Sequence, residues 1–520
     1  LLFYCMSQIN RIIIVGGGTA GWLTAGLLAA THSEPDKDSN KLTVTVVESD
    51  TVHPIGVGEG TWPTMRRTLS KIGIPEADLI KRAGATFKQA SKFVNWHKNE
   101  MGNAYYHPFS APQGSANLDI TPYWLSSQDK KGQYANDVCF QPALCEAGLA
   151  PKISAHPNQS FVANYGYHLD AGQFIDLIRT HCTQKLGVRR IVDDVISVNP
   201  NENGIGSVET RNSGNLTAEL YIDCSGFSSL LIEKALSVEL VDASRYLFSD
   251  RALVCQMSYE DTNAPIACYT QSTAQEAGWI WDIALQHRRG TGYVYSSKHQ
   301  SDDAARDTFA KYLAQYTNAT VDKSAFREIR FSTGFRRKFW EKNCVAIGLS
   351  SGFLEPLEAS SLMLIEQSAT LLAEQLPANT QVMPHVEHRF NEQLQGMWES
   401  AIDFLKLHYV LSNNNAAFWK DNRLEQSIPP RLLSLLKEWQ FRPILDSDFS
   451  KSSDAFSAQS YRYILYGMLN INSNINSAST YRRTLKHAEF ADKQLSLNQA
   501  LIKQLKSRMP SHRGLIESFY

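Results

Sequence analysis

The stretch RIIIVGGGTAGW, from Arg11 to Trp22, decides the reading of the whole chain. Ile12, Ile13, Ile14 and Val15 make a short β-branched apolar run. Gly16, Gly17, Gly18, Thr19, Ala20 and Gly21 follow without a break and open the apolar segment Trp22 to Ala30. That order reads as buried strand, tight turn and helix. Gly16, Gly18 and Gly21 occupy the three glycine places of a dinucleotide fingerprint, which serve the turn, the close approach of a pyrophosphate and the packing of helix on strand. Leu42 to Val47 reads as the second strand and ends at Glu48, where an acid accepts from an adenosine ribose hydroxyl. Strand, turn, helix and acid together predict a bound dinucleotide rather than a bare glycine turn.

Outward from that stretch, the 520 residues predict roughly two or three structural domains with ample core. Lys plus Arg is 51 against Asp plus Glu at 52, a net charge of -1, which leaves no basic stripe for a nucleic-acid partner. No uninterrupted apolar run reaches about 18 residues, so no membrane partner is expected. Leu1 to Met6 is too short for a signal peptide, Met6 reads as the true start, and a soluble cytoplasmic protein is the expectation. The 8 cysteines include no C-x-x-C pair, which predicts buried reduced thiols and no metal site.

Ile55 to Pro63 alternates glycine at 56, 58 and 60, a pattern for backbone lying flat against a large ligand, or for a surface loop. Ala83 to Trp96 fits a helix or a strand, and its Lys88 and Lys92, taken alone, read as solvated lysines. Tyr105, Tyr106, His107, Pro108 and Phe109 form an aromatic cluster that lines a pocket or fills core. The chain then reads as an irregular excursion to Tyr165, through Pro122, Pro142, Pro151 and Pro157. Leu169 to Cys182 is amphipathic, Val188 to Val198 reads as strand, and Leu220 to Asp223 ends in the small turn Cys224 to Phe227, where Cys224 reads as a packing residue. Val254–Tyr259, Ile266–Thr270 and Gly292–Ser296 read as strands of a sheet over the substrate space. Between them, Trp279 and Trp281 of Gly278 to Ile283 share one strand face, as core or as a stacking plane.

Arg336, Arg337 and Lys338 read as a mostly solvated face favouring phosphate or an anionic flavin. Val345 to Leu349 is a further strand. The small residues Ser350 to Ser361 then open the helix Leu362 to Leu372, whose N-terminus favours an anion. Glu358, among Leu354, Leu357 and Ala359, is either a first-turn carboxylate or a desolvated group able to handle a proton. From His385 onward the period is helical, through Phe390, Leu394, Trp398 and Leu405, then Arg431 to Trp439 and Ser460 to Leu469. Asn470 to Asn476 reads as a loop.

With these motifs in hand, the chain resembles the flavin-dependent tryptophan halogenase family over nearly its whole length, least after about residue 425. The residues that carry the likeness are Gly16 through Trp22, the strap Gly56 to Pro63, and the Glu-Pro-Leu-Glu stretch ending at Glu358. To these is added Gly278 to Ile283, similar to the family's G-W-x-W-x-I-P but followed by Ala284. The resemblance implies an α/β fold: a Rossmann-type FAD-binding domain of the flavin monooxygenase kind, interleaved with a β-sheet substrate region and a helical cap. The expected segments are 9–100, 165–235 and 325–380 for FAD, 101–164 and 236–324 for the substrate side, and 381–520 for the cap.

The resemblance also implies site roles. Lys88, in A-T-F-K, falls on the catalytic lysine, Glu358 on the essential carboxylate, and Ser360 and Ser361 on the halide-binding amides. Ala359 stands where the family usually has serine, which costs Glu358 a hydrogen-bond partner. Gly16, Gly18, Thr19, Ala20, Gly21, Glu48, Gly58, Val195 and Leu349 are the expected cofactor contacts, and His107, Phe109, Trp279 and Trp281 the expected substrate contacts. The implied reaction uses FAD as FADH2, O2 and chloride or bromide, and passes a halogen through hypohalous acid and Lys88 to an aromatic ring such as an indole. The sequence holds no second dinucleotide fingerprint, so a separate NAD(P)H-dependent flavin reductase is the expected partner. Homodimer formation stays open. Two other readings also stay open: a flavin-dependent aromatic hydroxylase, and an FAD-binding protein without halogenating activity. The family's pattern for gripping free tryptophan has no counterpart here, and Tyr461 stands where related chains often have tryptophan.

Overall fold

The computed structural model describes residues 8–32, 42–52, 58–99, 102–126, 133–156, 160–318, 320–449, 453–468 and 486–520. Leu1 to Met6, Gly56 and Val57 of the strap, Pro157, Lys451 and the Asn470 to Asn476 loop lie outside them. The chain forms two compact units, Leu1–Gly84 with Leu169–Ala243 and Ser332–Glu399, and Ala85–His168 with Ser244–Phe331 and Ser400–Tyr520. Residues 85–99, grouped on sequence grounds with the FAD segment, fall in the second unit.

The first unit is built on a six-stranded sheet. Arg11–Val15 lies at its middle, parallel to Leu220–Asp223 on one side and to Thr43–Glu48 on the other. Arg189–Val192 and Cys344–Ala346 extend the parallel set, and Trp340–Glu341 closes one edge antiparallel. Ile12 and Ile14 are fully buried, as a strand covered on both faces requires. The helix Thr19–His32 makes the crossover and is buried from Gly21 to Ala29, matching its all-round apolar character. It packs against the helices Ala171–Lys185 and Ser360–Glu374. The Asp170 carboxylate caps the first of these by accepting from the Gln173 N–H at 3.1 Å. The strand expected over Val188 to Val198 is two strands, Arg189–Val192 and Val195–Asn201. The break falls where Asp193 turns its carboxylate to the N–H groups of Asp194, Asn212 and Ser213.

The second unit contains a seven-stranded sheet. Its order is Arg327–Arg330, Arg251–Ser258, Arg288–Tyr295, Gly278–Ala284, Tyr269–Gln275, Ala90–Asn99 and Gly102–Pro108. Only Tyr269–Gln275 with Ala90–Asn99 is a parallel pair. The helix Asp302–Leu313 lays Ala305, Phe309 and Leu313 onto Leu253, Ile280, Tyr293 and Tyr295. The helix-or-strand alternative over Ala83 to Trp96 resolves as two strands, Thr86–Lys88 and Ala90–Asn99, so Lys88 and Lys92 share no helix face. From Met383 onward the chain is helical as its period predicts, through Met383–Val410, Pro430–Trp439, Ala458–Met468 and Ala488–Lys506. Among the described residues, no helix is long and apolar enough to cross a membrane.

Candidate active site

In the first unit the glycine turn is fixed by contacts that exclude side chains. Gly16 has φ +115°, and a Cβ on it would come 2.1 Å from the Cys224 carbonyl oxygen. A Cβ on Gly21 would lie 1.9 Å from the Gly16 carbonyl oxygen, whereas a Cβ on Gly18 would meet nothing within 4 Å. Gly18 thus faces open space at the start of a helix, the vacancy a pyrophosphate needs. Glu48 is buried, accepts from Trp22 Nε1–H at 2.9 Å and pairs with Arg190. Its Oε1 also lies 3.9 Å from the Arg179 guanidinium. Thr19 and Ala20 are half-buried in the turn, and Gly348, φ +86°, brings the Leu349 turn so close that its Cβ would sit 2.7 Å from that of Ala20. Val195 packs against the cluster containing Val15 and Val47. Cys224 is buried, and burial with neighbouring Asp223 pushes its thiol well above the usual range, as befits a packing cysteine.

The second feature of this unit is the turn before the helix Ser360–Glu374. Glu358 and Ala359 have φ +60° and +57°, two successive left-handed residues that are not glycine. Such conformations cost about 1–3 kcal/mol each and persist where surrounding contacts impose them. One such contact is Trp62, whose Nε1–H donates to the Glu358 carbonyl at 2.8 Å and ties the glycine strap to the turn. Gly58 is half-buried in that strap. Glu358 is 4% exposed and Ser360 fully buried. The Ser360 hydroxyl has no hydrogen-bond partner among the described residues, while the Ser361 hydroxyl donates to the Leu354 carbonyl at 3.3 Å. No side chain caps this helix, so its N-terminal dipole and a buried hydroxyl are left for an anion. Glu59, unremarked in the sequence, has a carboxyl pushed up to about 7, chiefly by burial and then by Asp170. Its alternation with Gly58 and Gly60 was the available signal.

Arg336 departs from the solvated face expected of it. It is 5% exposed and donates to the carbonyls of Ser350 and Val238 and to the Ser229 hydroxyl, with Glu233 as its ion-pair partner. A planar guanidinium reaches several acceptors at once, and here it buttresses the Ser350 turn instead of meeting phosphate.

In the second unit Lys88 is 1% exposed, with its Nζ 5.3 Å from the centre of the Phe109 ring. His168, on the neighbouring strand, holds Thr270 Oγ1 at 2.8 Å. Burial, then the charge of Lys88, then His512, keep its imidazole well below the usual value and neutral. His107 is buried with its ring centre 5.6 Å from that of Phe404 and 6.2 Å from that of Tyr463. Trp279 and Trp281 are also enclosed. Trp279 lies 6.1 Å from Trp96, and Trp281 covers Gly292, where a Cβ would come 2.0 Å from the indole. Both indoles are thus packed within the sheet, and the Trp279 Nε1–H has no hydrogen-bond partner among the described residues. Three arginines of the C-terminal part are ion-paired. Arg462 pairs with Asp119 at 3.1 Å and Asp446 at 3.0 Å, Arg431 with Asp454 at 2.6 Å, and Arg442 with Asp448 at 2.8 Å. Among the described residues no group of His, Cys, Asp or Glu is arranged to hold a metal ion.

A parallel sheet with a glycine turn, open at Gly18 and backed by Glu48, defines a dinucleotide-dependent enzyme of the flavoprotein kind. The chain belongs to the tryptophan halogenase family, whose model matches residues 11–480, and it is a flavin-dependent halogenase. The crystal structure of a tryptophan halogenase from Shewanella frigidimarina aligns at 42% identity with a TM-score of 0.91, covering 99% of this chain and 98% of that one. ThaL of Streptomyces albogriseolus, a tryptophan 6-halogenase, is 32% identical over 435 residues, 80% of this chain and 79% of its own. BrvH, a flavin-dependent halogenase from Brevundimonas sp. BAL3, aligns at 31% identity with a TM-score of 0.84, covering 98% of this chain and 99% of that one.

Proposed function

We propose that this halogenase uses FADH2 from a separate NAD(P)H-dependent reductase, together with O2 and chloride or bromide, to halogenate a small, neutral, electron-rich aromatic of the indole type. Reduced FAD, when bound, supplies the oxygen chemistry that oxidises halide to hypohalous acid. The Gly16 to Gly21 amides cradle the pyrophosphate and Glu48 accepts from the ribose, with Gly58, Val195 and Leu349 around the cofactor. Ser360 and Ser361 take the halide at their helix N-terminus, a role supported by the buried Ser360 hydroxyl. The Lys88 ammonium hydrogen-bonds hypohalous acid, or, having given up a proton, its amine takes the halogen as the O–X bond breaks and the oxygen leaves as water, and in either form it presents an electrophilic halogen. The ring carbon attacks the halogen, the O–X or N–X bond breaks with its electron pair leaving on O or N, and Glu358 either orients the electrophile or takes the proton lost as the ring rearomatises. His107 and Phe109 line the acceptor.

The observation that carries this reading is the enclosure of Lys88, 1% exposed beside an aromatic face. A lysine held out of bulk water against an aromatic ring is placed where an electrophile can be kept from solvent, which supports a chemical task for it. The test combines purified protein, FAD, NADH, an unrelated flavin reductase, O2 and bromide or chloride, with indoles, pyrroles and phenols screened by mass spectrometry. Halogenated product is expected only when the reductase is present. Without it, NADH or NADPH disappears no faster than in buffer. Rapid flavin reduction by the protein alone in stopped flow would instead favour the hydroxylase reading. A second expectation follows from Gly16, Gly18, Gly21 and Glu48, which address the adenine half of the cofactor. Fluorescence titration should give FAD at least about tenfold tighter binding than FMN, and equal affinities would refute those contacts.

A further inference from the structure

The strand that carries Lys88 is short and has a paired ladder on one side only. Thr86–Lys88 runs antiparallel to Gly166–Leu169, with Thr86 opposite His168 and Lys88 opposite Gly166. Three residues of ladder hold register weakly, and a slip of one residue would carry Lys88 to the opposite face. The backbone groups pointing away from that ladder belong to Ala85, Phe87 and Gln89, and each finds a partner elsewhere. The Gln89 N–H donates to the Cys268 carbonyl at 2.7 Å, and the Ala85 carbonyl accepts from Gln286 Nε2 at 2.9 Å. The Phe87 N–H donates to His512 Nε2 at 3.0 Å, across 425 residues of sequence.

His512 is built for that single task. Its Nδ1 lies 2.9 Å from the Ile266 carbonyl, so Nδ1 carries the proton and Nε2 is left as an acceptor. It is 1% exposed, and burial, the largest influence, pushes it down to about 4 and keeps it neutral. Its own segment is anchored, because the His512 N–H donates to the Gly148 carbonyl at 2.8 Å and the Ala150 N–H to the Pro510 carbonyl at 3.0 Å. The same segment ends on Tyr520, whose hydroxyl donates to Gln286 Oε1 at 2.9 Å and so orients the amide that holds Ala85.

We infer that His512, supported by Gln286 and Tyr520, is a positioning residue that completes the open edge of the Lys88 strand and fixes where the halogen-bearing ammonium points. The inference rests on reading Lys88 as the residue that delivers halogen. The experiment uses the full chain with FAD, an independent reductase, bromide and indole, and it measures halogenated product, hypohalous acid caught by a soluble trap, and FAD affinity. His512→Phe keeps the ring and removes the acceptor. It is expected to lower product at least about tenfold while trapped hypohalous acid rises and FAD affinity holds, and His512→Gln, which restores an acceptor, recovers most of the product. Should His512→Phe not fold, Tyr520→Phe, a change at an exposed residue, gives the same split, with product down about threefold and trapped acid up. Product within about twofold of the unaltered protein, or product and trapped acid falling in equal proportion, overturns the inference. Lys88→Ala measured alongside separates the two claims. If it retains product, the Lys88 reading fails, and if it loses product while His512→Phe keeps it, only the His512 assignment fails.

Discussion

Lys88→Ala is expected to lower halogenated product by at least about 100-fold while FAD affinity and halide-dependent hypohalous acid formation persist. In the proposed reaction the lysine acts after the halide has been oxidised, so its loss should uncouple the reaction without stopping it. Acid that forms but is no longer presented to the ring escapes into solvent and appears in the trap. The substitution empties a site where Lys88 is 1% exposed against Phe109, so part of any loss reflects the cavity left behind. Lys88→Met keeps the volume and the contact while removing the charge, and the same split is expected of it with less cost to stability. Lys88→Arg is not a rescue, because a guanidinium is a poor nucleophile toward halogen and its planar fork does not fit a point-charge site. Product retained by Lys88→Ala in the presence of a scavenger for free hypohalous acid removes Lys88 from the mechanism.

The sequence made the cofactor half of this molecule readable because its signals are local. A β-branched run, three glycines at fixed offsets and an acid at the end of the next strand are set by the contacts of neighbouring residues, and the geometry at Gly16, Gly18 and Gly21 has those same causes. The turn before the helix Ser360–Glu374 was readable only in composition. Small residues before a helix predict bare amides, but nothing in Glu358 or Ala359 announces that both take positive φ, since that conformation is imposed by tertiary contacts such as the Trp62 indole. The Lys88 region was the least legible. A segment that fits period 3.6 and period 2 alike is decided by its partners, here Gly166–Leu169 and Gly102–Pro108, which lie elsewhere in the chain. Arg336 fails the solvated-face expectation for a related reason, because two charged neighbours in sequence mask a guanidinium whose acceptors arrive from Ser229, Val238 and Ser350. His512 carries no sequence signal at all. Only folding brings it to Phe87.

Indole is expected to be halogenated with higher catalytic efficiency than free L-tryptophan, with bromide at least as good as chloride. Free tryptophan brings an ammonium and a carboxylate, and a site that excludes water must pair both or bear their desolvation. Of the C-terminal charges from which such a grip would be built, Arg462, Asp446, Asp448 and Asp454 are ion-paired, and Lys451 lies outside the described residues. Arg462 is 7% exposed, donates twice to the Ile444 carbonyl and faces Asp119 and Asp446. Asp454 and Asp403 both face Arg431, and Asp448 takes Arg442 together with the Trp439 indole N–H. Breaking a buried or half-buried pair to seat an amino acid exchanges one ion pair for another and gains little. A neutral ring asks for none of this, and in the proposed reading it needs only aromatic surroundings such as Phe109, which lies beside Lys88. Steady-state rates for indole and L-tryptophan under one reductase and one halide decide the matter. Efficiency for tryptophan at least about tenfold above that for indole, about 1.4 kcal/mol of additional transition-state binding, would mean that the amino-acid charges are gripped and that the ion pairs above rearrange to do it.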